Sequence, residues 1–185
     1  MRLFERVVVK QELSPVLKSA IGQDAFAYKE GCNALLICHH HWLKWLDRTT
    51  DFAKGFSFDL GKAFDSVPHA IVCNKLMSLN INTHVINWTV SFLSNRKQRA
   101  VVDGFVTEFA SITRGVPQGT VLGPILFSIM VNGIRPVYPE RNLLLKYADD
   151  LTLSVPVFSH QDHSFIEVNS FQRWAVRNRI ETKPN

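Results

Sequence analysis

Three carboxylates at two distant places in the sequence could act together in catalysis. Asp59 lies near the end of the short strand-like stretch GFSFDL, in which apolar and polar side chains alternate. Asp149 and Asp150 lie between two apolar runs in residues 143–155, LLLKYADDLTLSV. That pattern predicts a hairpin with the acidic pair at its tip. Asp is also a common turn residue, so a turn alone would account for the pair.

The chemistry depends on whether the two strands are neighbours in one sheet. If they are, Asp59 and Asp149 meet at one edge. Two carboxylates about 4 Å apart repel by roughly 4 kcal/mol at an effective dielectric constant of about 20. Protons or cations would have to offset that repulsion, and hard oxygen ligands with open positions suit Mg²⁺. Two such ions clamp the attacking and leaving oxygens in phosphoryl transfer.

The rest of the pattern predicts an α+β fold, with helices packed on one face of an antiparallel sheet. Residues 55–60 are predicted to form a strand, Asp103-Gly104 a hairpin turn, and residues 115–119 a loop. Helices are predicted over residues 3–21, 32–46, 68–79, 83–93, from Pro124 onward, and 161–178. The first of these helices is predicted to restart with Ser14 as N-cap and Pro15 as first residue, and the N-cap of the 83–93 helix is predicted to be Thr83.

Length and charge limit the possible functions. The 185 residues suit one domain or a large part of one, and the net charge of +5 is compatible with a polyanionic partner. Basic residues cluster in two places, and a solvated surface would account equally well for each cluster. The first contains Arg96, Lys97 and Arg99, and the second contains Arg173, Arg177, Arg179 and Lys183.

Cysteine usage and hydropathy predict an intracellular protein, in the nucleus or the cytoplasm. Cys32, Cys38 and Cys73 form no C-x-x-C pair, so no disulfide-linked partner is expected. The first ten residues lack the pattern of a signal peptide. The longest near-apolar stretch, 121–131, is shorter than the roughly 18 residues that a membrane span needs, so no membrane partner is expected.

Three motifs in order resemble a known family. The segments FSFDLGKAFDSVPH (56–69), RGVPQGTVLGPILFSIMVN (114–132) and KYADD (146–150) resemble motifs A, B and C of the reverse transcriptases of non-LTR (LINE and jockey-like) retrotransposons. Flanking stretches, including FAYKEGCNALL (26–36), are similar as well. The resemblance covers nearly all of residues 2–183. It implies a polymerase palm with the helical part of the fingers.

The resemblance implies specific roles for the acids. Asp59 would bind two Mg²⁺ ions, for which Mn²⁺ is a possible substitute, with the carbonyl of Leu60 assisting. Asp149 would be the other catalytic ligand, and Asp150 a weaker or supporting one. The substrates implied are an RNA template, a DNA primer and dNTPs.

Further roles concern the nucleotide and the template. Phe64 would lie beneath the incoming sugar and leave no room for a 2′-hydroxyl. Gln118 and Gly119 would line the nucleotide and template site, and Tyr147 would pack beside the primer end. The basic residues Arg96, Lys97 and Arg99 would contact template phosphates, unless they form only a solvated face.

The resemblance leaves alternatives open. The first fingertip motifs and the thumb of the family are expected to be missing from residues 1–185, so little activity is expected of this chain alone. A non-catalytic nucleic-acid-binding remnant of the same fold is one alternative. An RNA-templated RNA polymerase is another, although an aromatic residue at position 64 argues against it. Gly133 departs from the family, which usually has Asp after Asn132.

Overall fold

The computed structural model describes residues 2–22, 24–25, 33–48, 50–159 and 161–182. Cys32, Lys183 and most of the 26–36 stretch therefore lie outside the described residues. The chain forms two compact units. We call Met1–Ala20 with Phe64–Met130 the helical unit, and Ile21–Ala63 with Val131–Asn185 the sheet unit.

The helices and strands follow one another in a mixed order along the chain. They are α1 (Arg2–Val8), a π-helical turn (Val9–Leu13), α2 (Ser14–Ala20), α3 (Ala34–Leu46), β1 (Thr50–Asp59), α4 (Ala63–Ser66), α5 (His69–Met77), α6 (Thr83–Leu93), β2 (Lys97–Gln98), β3 (Val101–Val102), β4 (Phe105–Val106), β5 (Ala110–Ser111), α7 (Leu122–Val131), β6 (Leu143–Tyr147), β7 (Asp150–Phe158) and α8 (Ser164–Asn178).

The sheet unit is built around three antiparallel strands in the order β1-β7-β6. β1 begins five residues earlier than its predicted start at Gly55 and pairs with β7 over most of its length. The hairpin of β6 and β7 forms where the sequence predicted it. The predicted α+β class with an antiparallel sheet is thus confirmed.

Helices contact both faces of this sheet. The ring of Phe58 stacks on Phe171 of α8, with 3.9 Å between centroids, so α8 covers the face that carries Leu151 and Leu153 of β7. On the other face, Trp42 of α3 donates a hydrogen bond from Nε1 to Ser154 Oγ at 2.9 Å. The sequence predicted helices on one face of the sheet. In the structure α8 packs on one face and α3 packs on the other.

The helical unit shows how Pro15 disturbs a helix without ending it. Ser14 was predicted to be an N-cap, but its φ of −59° and ψ of −40° are helical, so that prediction is wrong. Pro15 has no N–H to continue the regular hydrogen-bond ladder. The preceding turn, Val9–Leu13, widens into a π-helix, and the chain continues directly into α2.

Local signals set two further boundaries. The N-cap of α6 is Asn82, whose side chain accepts a hydrogen bond from the N–H of His84 at 2.9 Å; Thr83 is the first helical residue instead of the predicted cap. Asp103 and Gly104, with φ values of 49° and 83°, make the predicted turn between β3 and β4. Within the described ranges, every helix is too short or too polar to cross a membrane.

Candidate active site

Asp59 and Asp150 face each other at one end of the sheet. Asp59 is the last residue of β1, Asp150 is the first of β7, and the two are register partners. Residues opposite each other in an antiparallel pair have Cα atoms about 4.5–5.5 Å apart and side chains on the same face. Because Phe58 turns toward α8, the neighbouring Asp59 points to the opposite face. The condition on which the chemistry depends, that the two acidic strands are neighbours in one sheet, is therefore met.

Asp149 lies in the tight turn between β6 and β7. Tyr147 pairs with Asp150, so Ala148 and Asp149 are the two central residues of the turn. Ala148 has a φ of 53°, a left-handed conformation that costs a residue with a Cβ roughly 1–2 kcal/mol. Strain of this kind concentrates at functional sites. The turn holds Asp149 next to the opposed pair, at the hairpin tip that the sequence predicted.

A row of three side chains crosses the sheet at this end. Tyr147 of β6 is opposite Asp150 of β7, which is opposite Asp59 of β1. All three therefore lie on the face that α8 does not cover. Tyr147 is 55% exposed, and Asp59 is half-buried. The packing of Tyr147 beside a primer end stays a prediction.

The donors at this end of the sheet fit Mg²⁺ in chemistry and number. The ion takes hard oxygen ligands and is usually bound by one or two carboxylates together with waters and substrate phosphates. The opposed pair, Asp59 and Asp150, supplies two carboxylates. Across the described ranges, no group of three or more His, Cys, Asp or Glu side chains is placed to hold a metal ion. The convergence of Asp149 with the pair on one ion therefore stays a prediction.

The chain that leaves β1 is fixed to the segment after α8. Leu60 is 1% exposed and forms an isolated antiparallel bridge with Thr182. The N–H of Gly61 donates to the carbonyl of Glu181 at 2.9 Å. These backbone contacts hold the end of β1, and with it Asp59, in place. The assistance of the Leu60 carbonyl in metal binding stays a prediction.

In the helical unit, Phe64 of α4 packs in the apolar core and contacts the loop that follows β5. Its ring lies 4.6 Å from the ring of Phe127, which is fully buried in α7. Its carbonyl accepts a hydrogen bond from Val116 N at 2.7 Å. Phe64 is half-buried, so it packs in the core and still presents part of its surface. Its role beneath a sugar stays a prediction.

Gln118 and Gly119 form the exposed end of the same loop. Gln118 Nε2 donates to Asp65 Oδ1 at 3.0 Å, a contact that the sequence did not reveal. Gly119 has a φ of 72°, where a side chain would be strained. Gly115 has a φ of 87°, and a Cβ there would lie 2.9 Å from the carbonyl oxygen of Asp65. The two glycines therefore set the path of the loop.

Glu5 is a site-supporting residue that sequence reasoning missed. It is 1% exposed, and its Oε2 accepts hydrogen bonds from Val121 N at 2.9 Å and Leu122 N at 3.4 Å. A carboxylate there satisfies N–H groups at the start of α7 and complements the helix dipole. A signal was present, because Glu5 continues the buried i, i+4 stripe that runs through Val9, Leu13 and Leu17.

Lys146 is a second residue that sequence reasoning missed, immediately before Tyr147. It is 2% exposed, and its ammonium group donates to the carbonyl of Ile134 at 2.7 Å and lies 2.8 Å from Asp24 Oδ2. A buried ammonium needs such partners. These contacts anchor the end of β6 from the face opposite Tyr147. A lysine inside an apolar strand was the available signal.

The basic cluster lies at the base of the β2–β5 hairpin in the helical unit. Lys97 and Arg99 are exposed, and Arg96 is half-buried. The guanidinium of Arg96 lies 5.4 Å from the ring of Phe92, and that of Arg99 lies 5.0 Å from the ring of Phe109. Their contact with template phosphates stays a prediction.

Sequence comparisons identify relatives across the whole chain. A family model described as reverse transcriptase (RNA-dependent DNA polymerase) matches residues 1–185. The RNA-directed DNA polymerase from mobile element jockey of Drosophila funebris is 32% identical over 136 residues, which are 69% of this chain and 15% of that protein. The Pol polyprotein of the type-1 retrotransposable element R2 of Popillia japonica is 30% identical over 166 residues, 82% of this chain and 23% of that protein. The chain thus spans less than a quarter of either relative.

Solved structures share the fold at lower sequence identity. Apo telomerase from Candida tropicalis superposes with a TM-score of 0.69 at 15% identity, over 99% of this chain and 36% of that one. Telomerase from Candida albicans in complex with a fragment of telomeric RNA gives a TM-score of 0.63 at 14% identity, over 100% of this chain and 37% of that one. At these identities the likeness is one of fold.

Proposed function

Because the chain belongs to the reverse transcriptase family, we propose that it forms the catalytic core of an RNA-directed DNA polymerase of the non-LTR retrotransposon type. The reaction would be attack of a DNA primer 3′-hydroxyl on the α-phosphorus of a dNTP, directed by an RNA template, with release of pyrophosphate. The register pairing of Asp59 with Asp150 is the observation that carries this proposal. These substrates occur in the nucleus and the cytoplasm, where we propose the protein acts.

Asp59, Asp149 and Asp150 are proposed to hold two Mg²⁺ ions, or Mn²⁺ in their place, with the Leu60 carbonyl as a further ligand. When bound, such ions supply activation of the attacking hydroxyl and neutralise charge on the leaving phosphates. The chain supplies the positions of the carboxylates: register fixes Asp59 against Asp150, and the strained turn fixes Asp149. Positioning is most of what a protein contributes to phosphoryl transfer.

Residues of the helical unit are proposed to select the nucleotide. Phe64 would exclude a 2′-hydroxyl with its ring, which Phe127 supports from behind. Gln118, held by Asp65, would contact the nucleotide or template, and Gly119 would let the backbone approach closely. Tyr147 would pack beside the primer end.

The exposed basic cluster is proposed to bind the template. Arg96, Lys97 and Arg99 carry the charge needed for phosphate contacts, and this contribution to affinity falls as salt concentration rises.

Metal binding by the 185-residue chain tests the proposal without requiring turnover. Mn²⁺ titration followed by electron paramagnetic resonance should show a site whose affinity falls at least about tenfold, or about 1.4 kcal/mol, in Asp59→Asn. Asp103→Asn is the matched control, because Asp103 occupies an exposed hairpin turn and Asn tolerates its positive φ. Primer extension on primed RNA should follow the same order when the substitutions are made in a longer polymerase that contains this chain.

The outcome also separates the alternative function. A non-catalytic remnant would bind RNA while Asp59→Asn and Asp103→Asn left Mn²⁺ affinity equally unchanged. That result would overturn the catalytic proposal. Loss of Mn²⁺ affinity confined to Asp59→Asn would support it.

A further inference from the structure

We propose that the sheet unit contains a second nucleotide-binding site, a cavity on the face of the sheet opposite the catalytic acids. The cavity has a volume of about 300 Å³ and is bounded by α8, the sheet and the segment 133–136. That volume is at the lower end of the range for small-ligand sites. The proposal goes beyond the polymerase function, because Asp59, Asp149 and Asp150 do not line this space.

The cavity has an apolar floor. Phe58, Leu144 and Leu153 of the sheet lie at its base, and the two leucines are 5% and 3% exposed. Phe58 and Asp59 are consecutive residues of one strand, so their side chains point to opposite faces. A ligand on this floor is separated from the acids by the thickness of the sheet.

An aromatic wall rises from this floor along α8. Phe171 stacks on Phe58, and Trp174 continues the series, with its ring centroid 6.1 Å from that of Phe171 at an interplanar angle of 26°. Trp174 is half-buried and lines the cavity. A flat ring of this kind is a stacking platform for a nucleobase.

The rim of the cavity is cationic. Arg173 and Arg177 line it from α8, four residues apart and therefore on neighbouring parts of one helix face. Within the described ranges, no carboxylate lies within 4.0 Å of either guanidinium. The charge of the third lining arginine, Arg135, is paired with Asp24 at 3.3 Å. Arg173 and Arg177 are thus the rim charges left to bind an anion.

Among the described residues that line the cavity, the acidic one, Glu167, is already hydrogen-bonded. Glu167 is 2% exposed and accepts hydrogen bonds from Val137 N at 2.8 Å, Tyr138 N at 2.9 Å and Asn142 Nδ2 at 2.6 Å. These three hydrogen bonds stabilise the negative charge of the Glu167 carboxylate within the fold. The aromatic ring of Trp174 can stack on a nucleobase, and the two arginines without a carboxylate partner can bind its phosphate. A free nucleotide and a single-stranded nucleic acid both offer this combination of groups.

Gly133 belongs to the segment 133–136, which bounds the cavity together with α8 and the sheet. It lines the cavity without a side chain, and it is exposed. It is not among the described glycines with positive φ, so a left-handed backbone conformation does not oppose a substitution there. Gly133→Asp would add a negative charge to the lining of the cavity and leave Asp59, Asp149 and Asp150 unchanged, so it tests anion binding.

Binding of AMP and of a ten-nucleotide oligoadenylate to the 185-residue chain tests the proposal. Tryptophan fluorescence and fluorescence anisotropy would follow the two ligands. We expect Arg177→Gln to weaken binding about fivefold to tenfold, and Gly133→Asp to do the same. For the oligonucleotide, the slope of log K against log salt should fall by about 0.7 for each phosphate that the variant no longer neutralises.

Arg179→Gln is the matched control, because it removes the same charge two residues away, outside the cavity. Trp174→Phe should remove most of the fluorescence change while keeping a stacking ring. Equal weakening by Arg177→Gln and Arg179→Gln would show non-specific electrostatics and overturn the site. Competition by polyglutamate as effective as that by AMP would show that the cavity takes an acidic protein segment, which would also overturn it. Inorganic phosphate alone should compete poorly.

Discussion

The buried carboxylate of Glu5 in α1 accepts a hydrogen bond from the backbone N–H of Val121, 116 positions along the chain, at 2.9 Å. Val121 directly precedes α7 and follows the loop that carries Gln118 and Gly119. Glu5 therefore connects the first helix of the chain to the loop proposed to contact the nucleotide. Glu5 is 1% exposed, so its carboxylate relies on the backbone N–H groups of Val121 and Leu122 and not on bulk water for its hydrogen bonds.

Replacing Glu5 should destabilise the protein to a degree that depends on whether an acceptor remains. Glu5→Ala leaves buried N–H groups without an acceptor, which should lower the free energy of unfolding by about 1–3 kcal/mol. Glu5→Gln keeps an acceptor and should cost less. Urea denaturation measures both, with Glu12→Ala as the control, since Glu12 is exposed in the neighbouring turn. Equal effects of the two alanine variants would contradict the capping role.

Removing one charge of the acidic pair should stabilise the metal-free protein. Like charges directly opposite each other in a sheet are destabilising, so Asp150→Asn should raise the free energy of unfolding by about 0.2–1 kcal/mol in EDTA. In excess Mg²⁺ the wild type should become more stable than Asp150→Asn, because ion binding stabilises the wild type more than the variant. The check is paired urea titrations in EDTA and in Mg²⁺. A variant that is less stable than wild type in EDTA would count against repulsion at this pair.

Phe64→Val should relax sugar discrimination. A steric term of roughly 2–4 kcal/mol corresponds to one or more orders of magnitude in rate, at about 1.36 kcal/mol per tenfold. The measurement is the ratio of kcat/KM for dCTP to kcat/KM for rCTP on the same primed RNA. It uses a longer polymerase that contains this chain. Phe105→Val is the control, since Phe105 is 81% exposed at the hairpin. An unchanged ratio for Phe64→Val would leave Phe64 as a core aromatic alone.

Asp162 should contribute to stability in a pH-dependent way. The hydrogen bond from Lys54 Nζ, at 2.5 Å, and those from Ser164 lower the pKa of this carboxyl well below its usual range. A carboxyl with a depressed folded pKa contributes fully above the unfolded value of about 4, and the contribution disappears as pH falls toward the folded value. The stability advantage of wild type over Asp162→Asn should therefore shrink between pH 5 and pH 2, as judged by urea unfolding. An advantage that is constant over that range would refute the assignment.

Local chemistry explains why several elements were predictable. The Asp103-Gly104 turn forms because both residues accept positive φ, and no distant contact is needed to specify it. The alternation around Phe58 and Asp59 identified a strand because one face of it is buried. The caps were less predictable, because Asn82 and Thr83 are both good capping residues. In the structure the side chain of Asn82 accepts the hydrogen bond from His84 N.

The sequence by itself determined the acids, their order and the turn that carries Asp149, since spacing and turn chemistry are local properties. Only the tertiary structure decided that Asp150 stands opposite Asp59, because register depends on how two strands about 90 residues apart bury their apolar faces together. The partners of Glu5 and Lys146 likewise depend on chain segments distant in sequence. A buried charge indicates that a partner is needed, but packing alone determines which backbone group or side chain provides it.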